Sequence, residues 1–151
     1  MADKIWLTVP GALRYRALAV RIVAEAARLV SGSARRDEND LLSDDVRDPF
    51  DTAVVSAFME IFNNVAIHAY RREAVGRIEI SITAGERDIV IEVTDFGRPF
   101  DITRVPALPD ELDDASLPEG GMGIHIARTM LDDVSYQPGP PNKWRLAKVR
   151  T

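Results

Sequence analysis

The sequence of 151 residues contains no cysteine and only two histidines. Without cysteine the chain can form neither disulfides nor thiolate metal sites, and two histidines are too few for a histidine-rich zinc site. No apolar run approaches the roughly 20 residues that span a bilayer. The opening residues Met1-Ala2-Asp3-Lys4 lead into an alternating segment and do not have the pattern of a signal peptide. These absences predict a cytoplasmic protein with no membrane partner.

The chain also lacks an excess of positive charge. Its 19 Lys and Arg residues stand against 24 Asp and Glu residues, which gives a net charge of −5 and a pI near 5.0. No broad basic surface for nucleic acid is expected from this balance. A hydrophobic content of 46% suits a globular core, and the length predicts one domain over residues 1–151.

Hydrophobic periodicity predicts the order β-α-α-ββ-α-ββ. Alternation over residues 4–9 indicates a strand, and the spacing of Leu13, Ala17, Val20, Ala24 and Ala27 indicates a helix over residues 12–31. Residues 31–48 read as a polar, acidic connector, and a second helix is expected from about residue 48 to 70. This order predicts an α+β fold, a two-layer sandwich in which a mixed, mostly antiparallel sheet carries the helices on one face.

A hairpin is predicted from residue 76 onward, with a turn at residues 85–88. Its second strand alternates apolar side chains that share one parity with Asp95. Asp95 should therefore point to the buried face at the end of the strand, where a lone carboxylate is costly without a partner.

Glu60 and Asn64 lie four residues apart on the second predicted helix, at the border of its apolar face. One hypothesis is that Glu60 acts as a general base and Asn64 as a magnesium ligand, since magnesium takes oxygen ligands and borrows several from phosphates and water. The alternative is that both are ordinary polar residues of a helix edge. For His68 we expect a hydrogen bond to backbone or support of the helix end.

Asp95, Gly97 and Pro99 form a second candidate group. The carboxylate of Asp95 could accept a hydrogen bond from an exocyclic amine such as that of adenine, and Gly97 would let the ring approach the backbone. The alternative is a simple Asx turn at a strand end.

Gly120, Gly121, Met122 and Gly123 form a third group at the start of a predicted helix. Free backbone N–H groups at such a start can bind anionic oxygens. No Lys-Ser/Thr pair follows, so the run is not a Walker loop, and it does not match the dinucleotide fingerprint. Alone, a glycine cluster is equally a flexible joint.

Taken in order, Glu-x-x-x-Asn, Asp-x-Gly-x-Pro and Gly-Gly-x-Gly resemble the motifs of the Bergerat-type (GHKL) ATP-binding fold of gyrase, MutL and histidine kinases. Within that group the chain is most similar to the bacterial anti-sigma-factor serine kinases. The resemblance extends from the first strand to the last and rests on three boxes, residues 60–70, 95–101 and 120–136.

The resemblance implies ATP and Mg²⁺ as cofactors. Asn64 would coordinate the magnesium ion, and Asp95 would accept a hydrogen bond from the adenine amine. The resemblance also implies that Gly97 and Pro99 line the base pocket and that residues 101–119 form a lid over ATP. The glycine run, Met122 included, would contact the nucleotide, with Gly121 and Gly123 nearest the phosphates. Glu60 would orient or deprotonate the serine hydroxyl of a protein substrate.

The implied function is that of an ATP-dependent protein-serine/threonine kinase of the partner-switching type. It would bind a sigma factor and phosphorylate an anti-anti-sigma protein of the STAS type, as a homodimer. The alternative is a nucleotide-sensing module that sequesters a partner without phosphorylating it. Two departures from the family pattern are the long acidic connector and Asn63, where a small residue or Thr is more usual.

Overall fold

A computed structural model of the chain describes residues 2–33, 48–70, 76–101 and 122–151. Most of the predicted connector, most of the predicted lid, and Gly120 and Gly121 lie outside these residues. The elements are listed in chain order: β1 (Asp3–Pro10), α1 (Arg16–Ser31), α2 (Pro49–Asn64), β2 (Arg77–Ala84), β3 (Asp88–Asp95), α3 (Met122–Met130), β4 (Asp133–Gln137) and β5 (Asn142–Val149). The predicted order of strands and helices is confirmed.

The five strands form one sheet in the order β1-β2-β3-β5-β4. Every pairing in this sheet is antiparallel, so the expectation of a mixed sheet was wrong in that detail. Side chains on β2 and β3 alternate between the buried and the partly exposed face. The helices pack on the buried face, where the isoleucines of both strands contribute to the core, and the fold is the predicted α+β sandwich.

The buried face of α1 agrees in part with the predicted one, since Ala24 and Ala27 are buried as expected. The buried residues of the helix are Ala19, Val23, Ala24, Ala26, Ala27, Val30 and Ser31. By contrast, Ala17 and Leu13 are exposed. A 3₁₀ helix at Leu13–Tyr15 precedes α1. Leu13 therefore lies in a 3₁₀ turn of 3.0 residues, to which the α-helical period of 3.6 residues does not apply.

The helical stretch that begins with α2 starts and ends close to the predicted residues, 48 and 70, although its last turn is not α-helical. Asp48 is the N-cap, its carboxylate accepting from the backbone N–H groups of Phe50 at 2.8 Å and Asp51 at 3.4 Å, and Pro49 opens the helix. After Asn64 the chain continues as a π-helix, Val65–Ala69. A π-helix shifts the side chains that follow it around the axis, and such turns are frequent at functional sites.

The continuous helical stretch Pro49–Ala69 is 21 residues long with a mean hydropathy of 1.2, which by length and composition alone would allow it to cross a membrane. Half of that window is buried within the domain. It packs against α1 on one side and α3 on the other, which are the contacts of a core helix.

Candidate functional site

Glu60 and Asn64 lie one turn apart on α2, and both are partly buried. The neighbouring Asn63 accepts a hydrogen bond from Arg16 at 2.8 Å, which ties it to the start of α1. His68 lies beyond them on the π-helix and is exposed, so it is not buried in the core, and its support of the helix end stays a prediction. Its ring centroid is 5.7 Å from that of Phe100, in the segment after β3.

Glu60 is in contact with the first turn of α3. A Cβ atom placed on Gly123 would lie 2.4 Å from Oε2 and 3.2 Å from Cβ of Glu60. A side chain at position 123 would therefore displace the Glu60 carboxylate from this position. The first and third predicted motifs are therefore adjacent in the fold.

Asp95 lies at the end of β3 with 2% of its surface exposed, as its parity predicted. Its Oδ1 accepts hydrogen bonds from Nδ2 of Asn142 at 2.9 Å and from the backbone N–H of Gly97 at 3.0 Å. No donor among the described residues contacts its Oδ2. Burial raises the pKa of the Asp95 carboxyl, and the two hydrogen bonds only partly oppose that rise. The described residues therefore hold one oxygen of this buried carboxylate, and Oδ2 has no donor among them.

Asn142 is a site residue that the sequence analysis missed. It is fully buried at the start of β5, and its Nδ2 also donates to the carbonyl of Gly97 at 3.0 Å. Its Oδ1 accepts from the backbone N–H of Gly139 at 2.8 Å, so all of its polar atoms have partners. The signal that could have found it is parity, since Asn142 alternates with the buried Trp144 and Leu146.

The loop that follows Asp95 packs against the end of the π-helix. The backbone N–H of Arg98 donates to the carbonyl of Ala69 at 3.0 Å. A Cβ atom on Gly97 would lie 2.3 Å from that same carbonyl oxygen. Close packing of the loop on the helix end therefore requires glycine at this position, independently of any bound base. The first and second motifs are joined by these contacts.

The remaining predicted residues are placed less fully. Pro99 is exposed in the loop after β3. Met122 begins α3, and only its backbone is described. Gly120 and Gly121 lie outside the described residues, so the approach of the glycine run to phosphates stays a prediction.

Within residues 2–33, 48–70, 76–101 and 122–151, no three His, Asp or Glu side chains cluster as metal ligands. A magnesium ion beside Asn64 would then take one amide oxygen from the protein and its other ligands from phosphates and water, an arrangement that magnesium commonly adopts.

The fold and the site together define a class. An antiparallel sheet is covered by helices on one face, and the fold places a buried carboxylate at Asp95, Glu60 and Asn64 on the edge of α2, and Gly123 in the first turn of α3. Residues 10–148 match the family model described as the histidine kinase-like ATPase domain, and the chain belongs to this family.

The chain is also similar to individual proteins. The chain is 29% identical over 136 residues to the serine-protein kinase RsbW of Bacillus cereus, a match that covers 87% of this chain and 76% of the relative. It is 31% identical over 86 residues to RsbW of Bacillus licheniformis, covering 54% and 53%. It is 30% identical over 80 residues to the serine/threonine-protein kinase BtrW of Bordetella bronchiseptica, covering 52% and 55%.

Proposed function

We propose that this protein is an ATP-dependent protein-serine/threonine kinase of the partner-switching type. The observation that carries the proposal is the close approach of Glu60 to Gly123, together with a separate, buried carboxylate at Asp95. A general base, an anion-binding helix start and an adenine acceptor are the parts that phosphoryl transfer from ATP needs. The similarity to proteins named serine-protein kinases supports the same reaction.

In the proposed site Asp95 accepts a hydrogen bond from the exocyclic amine of adenine through its Oδ2. Asn64 holds magnesium, which neutralises charge on the phosphates when bound. The backbone of residues 120–123 binds phosphate oxygens, with the N-terminal end of α3 favouring negative charge. Gly97 and Pro99 border the base.

Glu60 supplies the base chemistry in this proposal. Its carboxylate takes the proton from a serine or threonine hydroxyl as that oxygen bonds to the terminal phosphorus and ADP leaves. The described residues provide no other carboxylate on this edge of α2, and Asn64 on the next turn cannot accept a proton at neutral pH.

The substrate that we propose is a STAS-type antagonist protein, with a sigma factor as a second partner. Both follow from the similarity of the three motifs to those of anti-sigma-factor serine kinases, as does a homodimer. The protein would act in the cytoplasm, without nucleic acid or membrane.

The test is phosphate transfer from labelled Mg-ATP to a candidate STAS protein. Glu60→Ala should lower the transfer rate by about 10²–10⁴-fold, the usual contribution of a general base, while ATP still binds. Glu25→Ala is the matched control, because Glu25 is an exposed residue of α1 paired with Arg28. Transfer by Glu60→Ala at the wild-type rate would remove the assigned role. ATP binding without transfer to any candidate would instead support the nucleotide-sensing module.

A further inference from the structure

Tyr70 follows the π-helix and has 7% of its surface exposed. A Cβ atom on Gly11 would lie 2.2 Å from its Cδ2, and a Cβ atom on Gly76 would lie 2.0 Å from its Cε1. One edge of the ring therefore faces each glycine. The two glycines are joined by a hydrogen bond from the N–H of Gly11 to the carbonyl of Gly76 at 2.7 Å. The ring is thus held in a slot that any larger residue at either glycine would close.

The hydroxyl of Tyr70 reaches the loop after β3. It accepts a hydrogen bond from the backbone N–H of Phe96 at 3.0 Å and donates one to the carbonyl of Arg77. Burial raises the pKa of the Tyr70 hydroxyl, so it stays protonated at neutral pH and can donate and accept together.

Phe96 lies at the surface, and the hydrophobic core of the described residues does not include it. Its side chain is 43% exposed, and the Arg77 guanidinium lies 4.3 Å from the ring centroid on the surface. Phe96 lies between Asp95 and Gly97 in the chain. The N–H of Gly97 donates to the Asp95 carboxyl, so the backbone of Phe96 connects the donor and the acceptor of this hydrogen bond. The N–H of Phe96 lies between these two groups, so the hydrogen bond from it to Tyr70 acts together with the contacts of Asn142 on this end of β3.

We propose that Tyr70 is a positioning residue of the nucleotide site. Its hydroxyl fixes the backbone at Phe96 and thereby aims the free oxygen of Asp95 at the exocyclic amine of the base. Through the slot formed by Gly11 and Gly76, the turn after β1 and the start of β2 take part in base selection. This inference rests on the proposed binding of ATP at Asp95.

The first arm of the test measures the affinities of Tyr70→Phe for ATP and for inosine triphosphate by calorimetry. Inosine carries a carbonyl oxygen where adenine has its amine, so the wild type should prefer ATP. Removing the hydroxyl keeps the ring in its slot and should lower the preference for ATP by about threefold to tenfold, the usual range for one hydrogen bond.

Tyr136→Phe is the matched control, because the Tyr136 hydroxyl accepts the backbone N–H of Phe100 at 2.8 Å, farther along the same loop. It should keep the wild-type preference. An equal loss of affinity for both nucleotides in Tyr70→Phe would indicate a merely structural role and overturn the proposal.

The second arm measures amide hydrogen exchange in nucleotide-free protein. Protection of the Phe96 and Gly97 amides should fall in Tyr70→Phe and not in Tyr136→Phe. Unchanged protection of Phe96 would overturn the positioning role whatever the nucleotide data show. A wild type that binds neither nucleotide while protection of Phe96 still depends on Tyr70 would refute the proposed ATP site and limit Tyr70 to holding the loop.

Discussion

The carboxamide of Asn142 lies 2.9 Å from Oδ1 of Asp95, and its second N–H is donated to the carbonyl of Gly97. Both donors of the amide are thereby used within the protein. Asn142 fixes the rotamer of the Asp95 carboxyl and ties the loop after β3 to β5. A ligand that reaches this end of the sheet meets a carboxylate already oriented, which lowers the entropy lost on binding.

Asp95→Asn should weaken ATP binding by at least about tenfold. The amide of the variant presents either its oxygen or its –NH₂ group at the position where the carboxylate oxygen accepts the hydrogen bond from adenine. The –NH₂ group cannot accept a hydrogen bond from an amine. Calorimetric titration with ATP measures the change. Asp88→Asn, an exposed position at the other end of β3, is the control and should bind as the wild type does. Equal affinity in both variants would rule out Asp95 as the base acceptor.

Asp95 should make the free energy of unfolding depend on pH. Burial raises the folded-state pKa of Asp95 above the ordinary 3.8. At pH values between 3.8 and the folded-state pKa, the folded state therefore binds more protons than the unfolded state. The free energy of unfolding that Asp95 contributes is then fully present below pH 3.8 and is lost as pH rises through the folded-state pKa. Denaturant unfolding of the wild type and of Asp95→Asn from pH 3 upward measures this. The stability of the wild type relative to the variant should fall as pH rises, and a rise would contradict the predicted sign.

Much of this architecture is predictable because it depends on local pattern. Alternation gave the buried parity of Asp95, and the Asp48-Pro49 pair gave the start of α2. In α1 the burial of Ala24 and Ala27 was predictable, whereas the exposure of Leu13 was not, since Leu13 lies in a 3₁₀ turn without the α-helical period. The roles of Asn142 and Tyr70 depend on contacts between distant segments, which no spacing along the chain encodes.

The cap of α2 offers a stability test unconnected with any ligand. Asp48→Ala removes the acceptor of the Phe50 and Asp51 N–H groups and should lower the free energy of unfolding by about 1 kcal/mol. Glu86→Ala, in the β2–β3 turn, should change it by less than about 0.5 kcal/mol. Urea unfolding monitored by circular dichroism compares the three proteins. A loss in Asp48→Ala no larger than that of the control would mean that water replaces the cap without cost.

Gly123→Ala tests whether the start of α3 sets the position of Glu60. The added methyl group would lie 2.4 Å from Oε2 and 3.2 Å from Cβ of Glu60, so the carboxylate must move. If Glu60 is the base, the transfer rate to a protein substrate should fall by about tenfold or more, while ATP affinity falls less.

A double-mutant cycle separates this from direct loss of a phosphate contact. In a Glu60→Ala background, the methyl group added by Gly123→Ala has no carboxylate to displace. Gly123→Ala should then change the residual transfer rate little. Equal losses in both backgrounds would show that Gly123 acts on the nucleotide and not through Glu60. The two residues would then contribute independently, and their contact would serve only to pack α3 on α2.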